Sequence, residues 1–298
     1  MKPLFILLAS ASFAQQPSLV REVRAAAASG DFASAQKTLD SAKLTSGISP
    51  RWLEAHSWMG RGYLGAKDYD AADRYAAETR KLALEVLRSR KLDAEPALPI
   101  ALGASIEVQA QVLNARGQRA EAVAFLQQEL KSWHDTSIRT RIQKNLNLIS
   151  LVGHPAPALD TRQFLGAQHP PTTPLKGRKV LLFFWAHWCG DCKATAAAIA
   201  RIAREYPSLT VIGPTQTYGY AARGEEVPRD AEVRYIDQIR QQYYGDIRGL
   251  TVPVSEENFK TWGASTTPTL ALIDEAGIVR LYHPGRMSYE ELLPYVRD

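Results

Sequence analysis

The alternation of apolar and polar positions divides the chain into two regions of different character. From Ser18 to about Leu151 the pattern is that of amphipathic helices, and the helix-favouring residues Ala, Leu, Gln, Arg and Glu dominate. Valine and isoleucine, which favour strands, are sparse there. Residues 18–150 are therefore predicted to form an all-helical domain.

Three stretches of the helical region are similar to one another. They begin at Ala28, Gly65 and Ala115, and in each a glycine near a turn precedes a polar pair and an alanine-rich helix. The interval from Asp31 to Asp68 is close to the roughly 34-residue period of helical-hairpin repeats. The region thus resembles degenerate tetratricopeptide repeats, which implies stacked helical hairpins. We interpret its aromatic residues as packing between helices, and binding of a protein partner on the concave face is a hypothesis.

Beyond Leu151 a segment rich in Pro, Gly and Thr leads into strand-like patterns. A helix is predicted over Lys193–Tyr206, and the final residues are predicted to be helical. The predicted strands lie within Lys179–Ala186, Leu209–Pro214, Thr269–Asp274 and Ile278–Pro284. The order strand, helix, strand, polar segment, strand, strand and helix predicts an α/β sheet domain over residues 151–298.

Composition and charge add limits on location and partners. The chain has 298 residues and a formal net charge of +5, without a basic run, so a nucleic-acid partner is not expected. Residues 1–14 have the pattern of a secretory leader, with Lys2 before the apolar stretch Leu4–Phe13 and small residues preceding a cleavage point near Ala14. The protein is therefore expected to be exported.

The chain has only two cysteines, Cys189 and Cys192, at the junction of a predicted buried strand and a predicted helix. A thiol at a helix N-terminus faces unpaired N–H groups and the positive end of the helix dipole, which favours the reactive thiolate. One sulfur can then attack a partner disulfide, and the other can release it. Two alternatives remain: half of a zinc site with His187 nearby, or a structural disulfide closing a short loop.

The stretch "FFWAHWCGDCKA" (Phe183–Ala194) resembles the active-site segment of the thioredoxin superfamily, and the stretch around "STTPTLALID" resembles the segment with that family's cis-proline. The start "VGHPAP" from Val152 resembles the exported TlpA/ResA-like subgroup. The resemblance implies a thioredoxin fold, a central mixed sheet flanked by helices. It also implies an extracytoplasmic thiol–disulfide oxidoreductase that acts on protein clients, receives electrons from a dithiol protein and needs no metal or organic cofactor.

The resemblance also implies roles for individual residues. Cys189 would be the attacking thiol and Cys192 the resolving thiol, and the two would form a disulfide between them. Trp188, Thr267 and Pro268 would form the surface that binds clients, with the Thr267 backbone exposed by a cis peptide bond.

The sequence departs from the family pattern around the cysteines. Phe183 occupies a position that carries a buried acid in many thioredoxins, so that site cannot accept the proton of Cys192. Gly190 and Asp191 stand between the cysteines, and His187 lies two positions before Cys189; all three are candidates for redox tuning, although His187 could instead simply face solvent. A negative charge at Asp191 disfavours a thiolate, whereas the helix dipole and Lys193 favour one; on balance we expect reduction of clients rather than their oxidation.

The segment Thr215–Ile247 lengthens the usual connection within the fold. In the related subgroup an insert here supplies an acidic residue near the cysteines, and Glu225 and Glu226 are candidates for it, although a solvated charged loop is the simpler interpretation. One alternative to the whole assignment also stays open. The chain could be a non-catalytic interaction module that binds a partner through its helices and carries a static disulfide.

Overall fold

The computed structural model describes residues 18–166 and 175–297. The expected leader at residues 1–14 and its cleavage point near Ala14 lie outside the described residues. Contacts group the chain into two compact units. The first contains residues up to Arg90 and Glu95–Ser105, and the second contains Lys91–Ala94 and the chain from Ile106 onward. Within the described ranges, every helix lacks the combination of length and apolarity needed to cross a membrane.

The first unit is all-helical, as predicted. Its helices are α1 (Leu19–Ala28), α2 (Phe32–Ser46), α3 (Pro50–Gly65), α4 (Tyr69–Val86) and the first part of α5 (Ala97–Ala115). Each of α1–α4 buries one face, so that Val23, Leu39 and Met59 are completely enclosed. Trp52 belongs to this packing, and its indole N–H donates to the carbonyl oxygen of Leu39 at 2.9 Å.

The turns before α2 and α4 share one capping geometry. The side chain of Asp31 accepts from the backbone N–H of Ser34, and that of Asp68 accepts from the N–H of Ala71, so each aspartate caps the helix that follows it. In the second turn Lys67 adopts a left-handed conformation with φ of 61°. The similarity of these two stretches thus has a structural counterpart, while their membership of the tetratricopeptide class stays a prediction.

The second unit contains further helices and all the strands of the described chain. The helices are α6 (Arg119–Ser132), α7 (Arg139–Ser150), α8 (Gly190–Glu205), α9 (Arg229–Tyr244), α10 (Glu256–Trp262) and α11 (Tyr289–Arg297). The strands are β1 (Phe164–Leu165), β2 (Val180–Phe184), β3 (Thr210–Ile212), β4 (Val252–Pro253), β5 (Thr269–Ile273) and β6 (Val279–Pro284). Short 3₁₀ turns occupy Leu92–Ala94 and Ala222–Gly224.

Within the described residues, four strands form a mixed sheet in the order β3-β2-β5-β6. Strand β2 is parallel to β3 and antiparallel to β5, and β5 is antiparallel to β6. Every residue of β2 and β5 is buried, because helices cover both faces of these central strands. One face carries a core with α8, α9 and α11, and the other carries a core with α10. The mixed sheet flanked by helices that was predicted for this half of the chain is confirmed.

Helix α7 packs against α10 in the second unit. The side-chain amide of Asn147 donates to the carbonyl oxygen of Trp262 at 2.9 Å, and both residues are buried. The hydroxyl of Tyr282 on β6 donates to the same oxygen at 2.8 Å. The domain boundary between residues 150 and 151 stays a prediction, since α7 and the sheet belong to one contact unit.

Candidate active site

The two cysteines lie where the buried strand β2 gives way to α8. The indole N–H of Trp185 donates to the carbonyl oxygen of Gly213 at 2.8 Å, and the backbone N–H of Cys189 donates to that of Ala186 at 3.0 Å, which fixes the connecting turn. Cys189 is the N-cap of α8, and its Sγ accepts the backbone N–H of Cys192 at 3.0 Å. Cysteine is an unusual cap, which explains why the helix begins earlier than the predicted start at Lys193.

A disulfide joins Cys189 and Cys192, whose Cα atoms are 5.3 Å apart. Cys189 is 3% exposed and Cys192 is completely buried, so the first sulfur is the more accessible one. In the dithiol form, the N–H of Cys192 and the N-terminal end of α8 would both stabilise a thiolate on Cys189. The arrangement therefore suits nucleophilic attack by Cys189 and internal attack by Cys192.

Thr267 and Pro268 lie opposite the cysteines. The peptide bond between them is cis. The carbonyl oxygen of Thr267 is 3.4 Å from Sγ of Cys189, and Pro268 leads directly into β5. Trp188, the residue before the first cysteine, is 50% exposed. The structure thus brings together the residues that the sequence analysis assigned to client binding, while their role in binding stays a prediction.

Charged groups surround the outer side of the cysteine pair. The carboxylate of Asp191 is exposed and lies 3.4 Å from the guanidinium of Arg286, in the turn after β6. The ammonium of Lys193 lies 4.6 Å from the ring centre of Tyr243. Gly190 is the first residue of α8, and a Cβ added there would meet no heavy atom within 4 Å. Sequence reasoning identified Asp191 and missed Arg286, because a partner so distant along the chain leaves no local signal.

The position that carries an acid in many thioredoxins is filled by an apolar contact. Phe183 is completely buried, and its ring meets that of Tyr244 edge-on at 5.6 Å. Tyr244 also packs on Trp185 with ring centres 4.6 Å apart. The hydroxyl of Thr215 donates to the carbonyl oxygen of Trp185 at 2.8 Å. The inner side of the site is therefore aromatic, and the hydroxyl of Tyr244 is buried there without a hydrogen-bond partner among the described residues.

His187 is buried rather than facing solvent. Its Nε2 lies 3.3 Å from Oε1 of Glu232 on α9, and burial lowers the pKa of the imidazole. Glu225 and Glu226, the two candidates for an acid near the cysteines, are exposed, as the alternative of a solvated charged loop implies. The sequence did contain a signal for Glu232, because this acid shares the apolar stripe of α9 with Ile236 and Ile239.

Among residues 18–166 and 175–297, no group of three His, Cys, Asp or Glu side chains is arranged to hold a metal ion. The site consists of a buried strand, a Cys-Gly-Asp-Cys turn at a helix N-terminus and a facing cis-proline. Together with the mixed sheet, these features define a thioredoxin-fold protein whose chemistry resides in a dithiol–disulfide pair.

Comparisons with known proteins support this class. The model of the thioredoxin-like domain family matches residues 171–298. The thiol:disulfide interchange protein DsbE of Xylella fastidiosa strain 9a5c is 30% identical over 161 residues, which cover 50% of this chain and 71% of that protein. DsbE of strain Temecula1 is 29% identical, over 57% of this chain and 77% of its own length. The thiol-disulfide oxidoreductase ResA of Geobacillus thermodenitrificans is 26% identical, over 49% of this chain and 77% of ResA.

The chain belongs to the thioredoxin-like thiol–disulfide oxidoreductases of the DsbE and ResA type. The prediction that it is an enzyme of this class is confirmed, and so is the thioredoxin fold of its C-terminal half. The family model lies within the sheet-containing half of the chain.

Proposed function

We propose that this protein is an extracytoplasmic thiol–disulfide oxidoreductase that reduces disulfides of protein clients through Cys189 and Cys192. The observation that carries the proposal is the geometry at Cys189. Its sulfur accepts the N–H of Cys192 at 3.0 Å, caps α8 and lies 3.4 Å from the carbonyl oxygen of Thr267. These contacts join a stabilised nucleophile to a backbone segment that can pair with a bound peptide.

The proposed reaction has two exchange steps. The thiolate of Cys189 attacks one sulfur of the client disulfide, which forms a mixed disulfide, and the leaving client sulfur takes the electron pair and then a proton. Cys192 next loses its proton and attacks the sulfur of Cys189, which breaks the mixed disulfide and releases the client as a dithiol. The enzyme is left with the Cys189–Cys192 disulfide. An upstream dithiol protein must then supply two electrons and two protons to restore the reduced form.

Clients are proposed to bind across Trp188, Thr267 and Pro268. Trp188 offers an exposed apolar surface beside Cys189, and aromatic side chains of this kind are frequent anchors in protein interfaces. The backbone of Thr267 lies next to the reactive sulfur, so a client strand paired with it would bring its disulfide to Cys189. The helical half is proposed as a scaffold for a further protein partner, which titration of candidate partners would test.

Two observations support the proposed direction of disulfide exchange and the proposed location outside the cytosol. Asp191 places a carboxylate between the cysteines, and like charge disfavours the thiolate, which makes a couple more reducing. The leader-like pattern of residues 1–14 supports export. Reduction of clients outside the cytosol is therefore the direction that we propose.

Paired cysteine variants test the proposal. The wild-type protein is expected to reduce insulin disulfides, Cys189→Ser is expected to abolish turnover, and Cys192→Ser is expected to accumulate mixed disulfides with clients. Turnover that survives the loss of Cys189 would remove it as the nucleophile. Equilibration with glutathione redox buffers tests cycling, because a pair that stays oxidised at every accessible potential would be a static disulfide.

A further inference from the structure

A buried carboxylate connects the segment Thr215–Ile247 to the residues that precede the cysteines. Glu232 lies on α9 and is completely buried. Its Oε1 accepts the backbone N–H of Tyr218 at 2.5 Å and lies 3.3 Å from Nε2 of His187. Its Oε2 accepts the backbone N–H of Gly219 at 2.8 Å. One side chain thus holds a turn of the segment and the residue two positions before Cys189.

The contact between Glu232 and His187 depends on which imidazole nitrogen carries the proton. Both carboxyl oxygens of Glu232 accept backbone N–H groups. The 3.3 Å contact is a hydrogen bond in the tautomer that carries its proton on Nε2 of His187. Burial lowers the pKa of His187, which favours the neutral ring, and a neutral ring with its proton on Nε2 can make this bond.

Aromatic rings surround His187 and extend to the surface. Tyr218, Tyr220 and Tyr235 each meet the imidazole edge-on, with ring centres 5.5, 5.3 and 5.4 Å away. Tyr218 also meets Trp188 edge-on at 5.6 Å. The exposed indole of Trp188 therefore packs against Tyr218, whose backbone N–H is bound by Glu232.

Removing this carboxylate would free the turn at its anchored point. Tyr218 is partly buried and Gly219 is exposed, so an N–H that loses the carboxylate can find a new partner in water, and the turn is then free to shift toward solvent. Movement of Tyr218 would take away the edge contact that orients Trp188. The cysteines themselves would keep their helix cap, because the bond between Cys192 and Cys189 does not involve this segment.

We propose that Glu232 is a positioning residue for client binding: through the Tyr218–Gly219 backbone and His187 it holds Tyr218 against Trp188. The inference rests on the proposed function, since it concerns the surface that receives protein clients. It separates two properties of the enzyme. Glu232 governs how well a protein disulfide binds, and the helix cap at Cys189 governs how readily the sulfurs exchange.

The test compares a protein disulfide with a small one. Glu232→Gln keeps the shape of the side chain but replaces one acceptor by a donor, so one backbone N–H loses its partner. We expect its KM for insulin to rise about fivefold or more, the factor that corresponds to one net hydrogen bond. The rate with 5,5′-dithiobis(2-nitrobenzoate), which is too small to span the surface, and the reduction potential should stay at wild-type values. Glu225→Gln, an exposed acid of the same segment, is the matched control and should leave KM unchanged.

Two further measurements keep the inference testable. Tyr218→Ala removes the ring but leaves Glu232 and His187 in place, and it should raise KM for insulin in the same way if Glu232→Gln fails to fold. Hydrogen exchange at the amides of Tyr218 and Gly219 needs no substrate, and Glu232→Gln should accelerate it about tenfold or more at one of the two, since an amide that has lost its acceptor no longer has to wait for local opening.

The outcomes distinguish this inference from the proposed function. A wild-type protein that reduces neither substrate would overturn the proposed function, and the exchange measurement would still judge the anchoring by Glu232. Equal losses with insulin and the small disulfide would overturn the inference, because they would mean general damage to the site. An unchanged KM for insulin in both variants, or unchanged amide exchange in Glu232→Gln, would overturn it as well.

Discussion

Replacing Gly263 by alanine tests how tightly α7 packs against the segment that leads to Pro268. Gly263 ends α10 in a left-handed conformation with φ of 62°. A Cβ added there would lie 2.6 Å from Cα of Lys144 and 2.7 Å from the carbonyl carbon of Gln143, and real Cβ atoms essentially never approach within 3.0 Å. Both neighbours are backbone atoms of α7, so neither can rotate away and the two helices must separate.

The free energy of unfolding should fall through three contributions. A left-handed backbone costs a residue with a Cβ about 1–2 kcal/mol. Overpacking against rigid neighbours adds about 1–3 kcal/mol. Separation of α7 from α10 also threatens the buried hydrogen bond from Asn147 to Trp262, worth about 1 kcal/mol. We therefore expect Gly263→Ala to destabilise the protein by about 3–6 kcal/mol.

Gly249→Ala is the matched control for backbone strain. Gly249 has a similar φ of 69°, and a Cβ there would meet no heavy atom within 4 Å. Its alanine variant should lose only the strain contribution of about 1–2 kcal/mol. Urea unfolding of the oxidised proteins, followed by circular dichroism and tryptophan fluorescence, measures both losses. Equal destabilisation by the two substitutions would refute the close packing of α7 on α10.

Three further predictions follow from other contacts. Arg286→Gln removes a cation near the cysteines and leaves the charge of Asp191 uncompensated, and both changes destabilise a thiolate. The reduction potential should therefore shift by about 5–20 mV toward more reducing values at low salt, and an unchanged potential would contradict this influence of Arg286. Burial lowers the pKa of His56 to about 4, so below about pH 6.5 the unfolded state binds a proton that the folded state does not. The free energy of unfolding should therefore drop by about 2–3 kcal/mol between pH 7 and 4.5. Urea unfolding of His56→Gln should show a flatter pH profile, and an equally steep profile would exclude His56 as the cause. Thr215→Val leaves the buried carbonyl of Trp185 without its hydrogen-bond donor, so the free energy of unfolding should fall by about 1–3 kcal/mol. Thermal or urea unfolding measures this loss, and wild-type stability would contradict the prediction.

Local patterns in the sequence were sufficient for the secondary structure around the site. The run at Lys179–Ala186 contains β2 and the run at Thr269–Asp274 contains β5, because central strands need continuous apolar residues. The alternating stretch Ile278–Pro284 contains β6, which lies at the edge of the described sheet. The redox pair was equally accessible, since its chemistry depends on a spacing of three positions at a strand-to-helix junction. These features are encoded in neighbouring residues, which is why periodicity and motif detect them.

The polar partners around the site could not be predicted in the same way. Arg286 contacts Asp191 although it lies 95 positions later in the sequence, and Glu232 contacts His187 across 45 positions. Each pairing depends on how strands are ordered in the sheet, and no local pattern specifies that order. Glu225 and Glu226 were candidates because the related subgroup carries an acidic residue in this insert. The informative property was instead the place of Glu232 on the buried apolar stripe of α9.

Helix α7 shows why a change of composition and a change of packing need not coincide. The shift near Leu151 marks the point at which helical patterns give way to strand patterns, but Leu151 itself is buried in one core with Phe259 and Trp262 of α10. A boundary between independent domains should instead fall where few contacts cross. Because α10 is followed within six residues by Pro268, the packing of α7 on α10 supports the segment that faces Cys189. The residues just before the predicted boundary thus contribute to the framework of the redox site.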